Sequence, residues 1–110
     1  MNFLKYLNPI QKINTGPYTK YTLSLSNIHL IRWEPNSSTD IHNHDNKDCE
    51  FIVLNGSLHE TRYSDKYLGS LYSSRCIEPL ENTMIKKSDG YHQMFNFDNR
   101  VKYSIHRYYD

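Results

Sequence analysis

Residues 41–63 read IHNHDNKDCEFIVLNGSLHETRY, and the second half of this stretch decides the fold class. Residues 49–54 are mostly apolar and rich in β-forming side chains. They are followed by Asn55 and Gly56, a pair that marks tight hairpins because both residues accept positive φ. The sequence therefore predicts two antiparallel strands, 49–54 and 57–63, joined as a hairpin.

The rest of the chain has the same β character. Tyrosine occurs ten times, glycine four times and alanine not at all, which argues against a helical bundle. Asp98 and Asn99 indicate a second tight hairpin. Eight β-like runs are separated by turn residues: 18–26, 28–34, 49–54, 57–63, 70–78, 82–87, 91–97 and 100–109. Short strands at this spacing predict an all-β barrel or double-sheet jelly roll.

The length of 110 residues allows one domain with one core. Residues 16–110 are predicted to form this β-domain. Residues 1–15 are predicted to be an N-terminal extension or a short helix, although Pro9 opposes a helix there. The apolar residues at helical spacing in this extension are Phe3, Leu4, Leu7 and Ile10.

Charge and composition exclude several classes of protein. The net charge is +1, and no basic stripe predicts binding to nucleic acid. The N-terminus is too polar for a secretory signal and no run is long enough to span a membrane, so we expect a cytoplasmic protein. The two cysteines, Cys49 and Cys76, could form one disulfide, but we expect reduced thiols in that compartment. A monomer or a homodimer is compatible with these features.

His42 and His44 are candidate metal ligands. On a strand, residues two apart lie on one face with Cα atoms roughly 6–7 Å apart, so both imidazoles can reach one ion. The alternative is a pair of solvent-exposed histidines in a polar loop. His59 is expected at the surface, and His29 is expected in a hydrogen-bonded structural role. The candidates for a third ligand are His29, His59, His92, His106, Asp45, Asp48 and Glu50.

Strand parity separates the acids from the cysteine. Cys49 shares a face with Phe51 and Val53, whereas Glu50 points the other way. If Cys49 points inward, Asp48 and Glu50 point away from the site. A carboxylate ligand from either residue is therefore disfavoured, although Asp48 lies close enough to the preceding loop to remain a candidate.

The segment HNHDNKDCEFIVLNG, residues 42–56, resembles the first metal-binding motif of the cupin superfamily, with cysteine where many cupins carry glutamate. Together with GSLHET at 56–61, it resembles the cysteine dioxygenases, a branch of the thiol dioxygenases. The matching residues are His42, His44, Cys49, Gly56, Leu58, Glu60 and Thr61. The resemblance implies a cupin-type double-sheet β-barrel over the β-domain.

Three further segments, GYHQMFN, SIHRY and GPYTKY, extend the resemblance to about residues 16–109. The first implies that His92 is the third metal ligand, with Asn96 nearby. The second implies a catalytic group of Cys49, Tyr108, His106 and Ser104. The third implies that Tyr18 and Lys20 face the substrate. Trp33 also stands at the spacing that the family shows before the paired histidines.

The resemblance implies an Fe(II)-dependent enzyme that uses O2 to oxidise a small thiol, L-cysteine above all, to the sulfinic acid. It also implies a thioether between Cys49 and Tyr108 as a protein-derived cofactor, with His106 holding the phenol and Ser104 fixing the tautomer of His106. A covalent role would explain a cysteine beside the metal. The alternative for Cys49 is a small buried apolar residue.

Lys20 departs from the family pattern, which has arginine at this place. Lysine keeps the positive charge but loses the bidentate fork that grips a carboxylate. The sequence is also shorter than the familiar members, which favours an open pocket for a larger thiol or a loss of catalysis. Two other functions stay open: a metal-dependent cupin enzyme acting on a non-thiol substrate, and a non-catalytic cupin that binds a metal or ligand.

Overall fold

The computed structural model describes residues 11–23 and 27–109. Within them lie ten strands and two single-turn 3-10 helices, Leu68–Ser70 and Lys87–Asp89. The strands are β1 Gln11–Asn14, β2 Tyr18–Thr22, β3 Ile28–Trp33, β4 Ser37–Ser38, β5 Asp48–Val53, β6 Leu58–Tyr63, β7 Leu71–Ile77, β8 Thr83–Ile85, β9 Tyr91–Asn96 and β10 Lys102–Tyr109. Each of the eight β-like runs overlaps one of these strands.

The strands form two antiparallel sheets. One sheet has the order β1-β2-β3-β10-β5-β8 and the other has the order β4-β9-β6-β7. Buried and less buried residues alternate along β5 and β10. The inward side chains of the two sheets therefore face each other and form one core. The buried apolar residues are Ile31, Trp33, Cys49, Phe51, Val53, Leu58, Ile77, Ile85 and Met94. The predicted all-β double-sheet architecture is confirmed.

The sheet begins earlier than predicted. Gln11–Asn14, assigned to the N-terminal extension or helix, forms β1 and pairs antiparallel with β2. Lys12, Ile13 and Asn14 are all exposed, as fits a strand at the open edge of a sheet. The remainder of the predicted helix, residues 1–10, lies outside the described residues.

Both predicted hairpins are wrong. Asn55 and Gly56 do turn the chain, and Gly56 has φ +68, but β5 and β6 lie in different sheets. Asp98 and Asn99 likewise join strands of different sheets, since β9 belongs to the four-stranded sheet and β10 to the six-stranded sheet. These turns carry the chain across the core. Strands that follow one another within a sheet do pair: β1 with β2, β2 with β3, and β6 with β7.

Lys102 joins the two crossing turns. Its Nζ donates to the Ser57 carbonyl and to the Asp98 carboxylate, each at 2.5 Å, and the side chain is 4% exposed. Its stem also lies against Gly56. The end of the β-sandwich opposite Cys49 and Tyr108 is therefore closed by one buried cation.

Replacing Gly56 with alanine should destabilise the fold. An added Cβ would lie 2.9 Å from Lys102 Cε, which hydrogen bonds hold in place, and the positive φ adds strain. We expect a loss of about 1–2 kcal/mol, seen as a fall in melting temperature on the order of 10 °C. Gly69→Ala is the matched control, because its Cβ would meet no atom within 4 Å. Equal melting temperatures for the two variants would contradict this account.

Candidate metal centre

The histidine pair lies beside the four-stranded sheet and not on a regular strand, contrary to the expectation. His42 forms an isolated bridge with His92 at β9, through reciprocal backbone hydrogen bonds of 2.9 and 2.8 Å. His44 follows in a loop that turns through Asp45 and Asn46, both at positive φ. Asp and Asn tolerate this conformation better than most residues, so the local sequence supports the turn.

His42, His44 and His92 converge. One ligand atom from each lies within 4.8 Å of the others. His92 Nδ1 donates to Glu60 Oε2 at 2.8 Å, and His42 Nδ1 donates to the Asp40 carbonyl at 2.8 Å. These bonds place the ring protons on Nδ1, so Nε2 of each ring carries a free lone pair. The two Nε2 atoms face each other at 3.1 Å.

Two facing lone pairs repel unless a cation lies between them. The 3.1 Å separation suits neighbouring ligands that are each about 2.1 Å from one ion. Imidazole also suits transition metals such as Zn, Cu, Fe and Ni. The donor set therefore fits a transition-metal ion, and the cluster of His42, His44 and His92 is the metal group that the sequence predicted.

Burial keeps two of these imidazoles neutral. Desolvation, with the nearby His92, lowers the pKa of His42 to about 4 and that of His44 to about 3. A neutral imidazole is the form that binds a metal, so no proton has to be displaced from either ring near pH 7.

The same shifts predict an acid-sensitive fold in the metal-free protein. Unfolded histidine titrates near 6.5, whereas folded His42 and His44 titrate near 4 and 3, so the unfolded state binds more protons between these values. The contribution of these two histidines to the free energy of unfolding should be fully present above about pH 6.5 and should decline as the pH falls toward 4. We expect the melting temperature to drop by at least about 4 °C between pH 7 and 5. Circular dichroism checks this, and His42→Gln should flatten the slope.

Three of the other predicted ligand candidates, Asp48, Glu50 and His59, make hydrogen bonds outside the cluster. Asp48 accepts from the Lys87 amide, and Glu50 accepts from the Tyr109 hydroxyl and Asn82. His59 bonds to Ser74. Parity had indicated that Asp48 and Glu50 point away from Cys49, and the structure agrees, with Cys49 buried and both acids half-exposed.

Glu60 is a site residue that sequence reasoning missed. It is fully buried, and it accepts from His92 and from Arg62 Nε at 3.0 Å, with Arg75 Nε at 3.6 Å. Burial alone would raise the pKa of Glu60, but the hydrogen bond from His92 and the charge of Arg62 lower it. The sequence did contain a signal for this role. Glu60 lies on the same strand face as the apolar Leu58, and Arg62, two residues later, can pair with a buried carboxylate.

Cys49 and Tyr108 are directly opposite each other on β5 and β10. Residues so placed in an antiparallel pair have adjacent side chains. Burial raises the pKa of the Cys49 thiol to about 12 and also raises that of the Tyr108 phenol. Both groups are therefore protonated near pH 7. Cys76 is exposed and free, so the structure holds no Cys49–Cys76 disulfide.

His106 does not hold the Tyr108 phenol as expected. Its Nε2 bonds to Ser104 Oγ at 2.6 Å and its Nδ1 faces Cys49 Sγ at 3.7 Å. Because Trp33 Nε1 donates to Ser104 Oγ at 2.8 Å, the Ser104 hydroxyl is free to donate to His106 Nε2. His106 then carries its proton on Nδ1 and directs it to the sulfur. Ser104 therefore fixes the tautomer of His106, but the ring proton points to Cys49 and not to Tyr108.

The metal group opens into a cavity of about 870 Å³. Tyr18, Lys20, His29 and Tyr108 line it, and Lys20 Nζ lies 5.6 Å from the centroid of the Tyr108 ring. His29 makes the expected hydrogen bond, to Thr22, but it also faces the cavity. Asn96 is not at the cluster, since its amide donates to the carbonyls of Glu34 and Arg100. The structure thus brings the predicted metal ligands, Tyr108 and the substrate-side residues to one cavity, whereas Cys49 is buried and does not line it.

The fold is shared with solved structures. A Drosophila melanogaster CENP-C bound to CAL1 superposes with a TM-score of 0.73 at 8% identity, over 89% of this chain and 80% of that chain. A sugar phosphate isomerase of the cupin superfamily from Silicibacter pomeroyi superposes with a TM-score of 0.65 at 18% identity, over 86% of this chain and 60% of that chain. At these identities the likeness is one of fold.

An oxalate oxidase in complex with the substrate analogue glycolate gives a TM-score of 0.63 at 19% identity, over 88% of this chain and 44% of that chain. The chain thus spans less than half the length of that protein. Within the described ranges, 11–23 and 27–109, no helix has the length and hydropathy to cross a membrane.

A family model described as cysteine dioxygenase type I matches residues 11–110. This match takes in every strand of both sheets, the three converging histidines and the facing Cys49 and Tyr108. The chain has the cupin fold and belongs to the cysteine dioxygenase type I family.

Proposed function

We propose that this protein is an Fe(II)-dependent thiol dioxygenase that converts a small thiol, L-cysteine first among the candidates, and O2 to a sulfinic acid. The observation that carries the proposal is the cluster of His42, His44 and His92, which shares one cavity with Tyr108, the residue directly opposite the buried Cys49. The reaction is RSH + O2 → RSO2H, in which both oxygen atoms go to sulfur and the S–H hydrogen ends on a sulfinic oxygen.

The three histidines would hold the iron, with His92 oriented by Glu60 and His42 by the Asp40 carbonyl. When bound, Fe(II) would supply Lewis acidity that deprotonates the thiol and electrons that activate O2. An all-imidazole ligand set adds no negative charge. A more cationic site favours a thiolate over a neutral ligand.

The remaining cavity residues bind and orient the substrate. Lys20 carries the positive charge on the wall beside Tyr108, and we assign it to a carboxylate of the substrate. Tyr18, which packs on Trp33 with ring centroids 5.2 Å apart, borders the same wall. The Tyr108 phenol stays protonated because burial raises its pKa, so it can donate a hydrogen bond into the cavity.

Cys49 and Tyr108 are proposed to form a thioether. Their side chains are adjacent, and His106 Nδ1 faces the sulfur. Bond formation between Sγ and the ring removes one hydrogen from each residue, as two protons and two electrons that pass to O2. Iron-loaded protein exposed to air should therefore lose two hydrogen atoms in intact mass, and Cys49→Ser should not. An unchanged mass after repeated turnover would remove the thioether from the mechanism.

Oxygen uptake tests the function. The Fe(II)-loaded protein would be given cysteine, cysteamine, 3-mercaptopropionate and a peptide with an N-terminal cysteine, with sulfinate measured alongside. The peptide is included because 870 Å³ far exceeds the volume of cysteine. Uptake matched by sulfinate supports the proposal. No uptake with any thiol, despite bound iron, would replace it with a binding function.

A further inference from the structure

One wall of the cavity is formed by the inward side chains of β2, β3 and β10. Cross-strand register places Lys20 opposite Ile31, and Thr22 opposite His29. His29 is in turn opposite His106. His29 therefore lies one row from Lys20 on the same face of the sheet.

Thr22 fixes the tautomer of His29. The Thr22 hydroxyl, in a residue that is 6% exposed, lies 3.0 Å from His29 Nδ1. A buried hydroxyl needs an acceptor for its proton, and donation to Nδ1 places the ring proton of His29 on Nε2. Burial, followed by the charge of Lys20, lowers the pKa of His29, so the ring is neutral near pH 7.

The Nε2–H group of His29 is available to a ligand. Among residues 11–23 and 27–109, no hydrogen-bond partner of Nε2 is present, and the ring lines the cavity. The His29 ring lies edge-on to Tyr108, with centroids 5.1 Å apart, and Lys20 Nζ lies 5.6 Å from the same Tyr108 ring. A donor and a cation thus flank one aromatic ring at the cavity wall.

We propose that His29 is a specificity-determining residue, which binds the carboxylate of the thiol substrate jointly with Lys20. The inference deepens the proposed function and rests on it. A carboxylate has two oxygens and accepts from two donors. Lysine is a point charge without a fork, so a second donor from His29 would restore two-point recognition that lysine alone cannot give.

Anaerobic calorimetry of the Fe(II)-loaded protein tests this without turnover. The probes are 3-mercaptopropionate, which has a carboxylate, and cysteamine, which has none. We expect His29→Met to weaken binding of 3-mercaptopropionate by about 10-fold, as for a lost hydrogen bond to a charged group, and to change cysteamine binding by less than about twofold. His29→Gln, whose amide can replace the Nε2 donor, should stay within about threefold of the wild type.

Thr22→Val provides a second variant that leaves the imidazole in place. It should weaken 3-mercaptopropionate binding in the same direction but less, because the ring can then flip or change tautomer. Equal weakening of both probes, or of neither, by His29→Met would overturn the inference. If oxygen uptake fails while the His29-dependent preference is present, the dioxygenase proposal falls and only the binding of a carboxylate by His29 remains. Oxygen uptake without a His29-dependent preference would reject only the role of His29.

Discussion

His92→Ala should lower the affinity for iron by on the order of 100-fold and abolish thiol-dependent oxygen uptake. His92 supplies one of three ligands, and binding energies of about 10–16 kcal/mol over four ligands correspond to about 3 kcal/mol for each. The side chain is also 2% exposed and bonded to Glu60, so the substitution removes one of the hydrogen-bond donors to a buried carboxylate. Both effects act on the same centre.

Iron content after dialysis against a graded chelator would measure the affinity, and oxygen electrode traces would measure the activity. His59→Ala is the matched control, because His59 bonds to Ser74 outside the cluster. It should retain the iron and activity of the wild type. If the His92 variant kept wild-type affinity while its circular dichroism spectrum was unchanged, the assignment of the metal group would be wrong.

Glu60→Gln should weaken iron binding by about 10–100-fold, the range typical of groups that orient a metal-bound histidine. The substitution keeps the size of the side chain and an acceptor for His92 Nδ1. It removes the charge that pairs with Arg62, whose side chain is 14% exposed. Because one partner of a largely buried ion pair would remain, we also expect a loss of about 2 kcal/mol in stability and a fall in melting temperature on the order of 10 °C.

Glu34→Gln is the control for charge removal. Glu34 pairs with Arg32 at 3.1 Å, but both side chains are about 40% exposed. Such surface pairs contribute about 0–1 kcal/mol, so iron affinity and melting temperature should change little. Similar losses in both variants would show that Glu60 acts through net charge and not through His92.

The sequence predicted which residues face the site better than it predicted which strands pair. Alternation along a strand has a period of two, so it assigns Cys49, His106 and Tyr108 to the interior whatever the neighbouring strands are. The pairing partner depends on the path of the turns. Asn55 and Gly56 fit both a hairpin and a crossing between sheets, since both need positive φ, and the buried Lys102 that favours the crossing is distant in sequence.

The metal group was predictable in identity but not in its supports. The spacing of His42 and His44, together with the segment around His92, indicated the ligands. Their orientation depends on Glu60 and on the Asp40 carbonyl, and a backbone acceptor leaves no trace in side-chain patterns. The role of His106 was also missed, because only the assembled order of Trp33, Ser104 and His106 shows where its proton points.

The contrast between the two cysteines bears on how activity should be assayed. Cys76 is exposed on the edge strand β7, with its sulfur 3.6 Å from Glu78 Oε1, whereas Cys49 is enclosed. A thiol substrate that carries traces of its disulfide can exchange with Cys76, which leaves a mixed disulfide on the protein and releases a free thiol without any dioxygenation. Cys76→Ser removes this exchange and leaves the cavity untouched, so a change in the intact mass of that variant reports Cys49 and Tyr108 and not a mixed disulfide at Cys76.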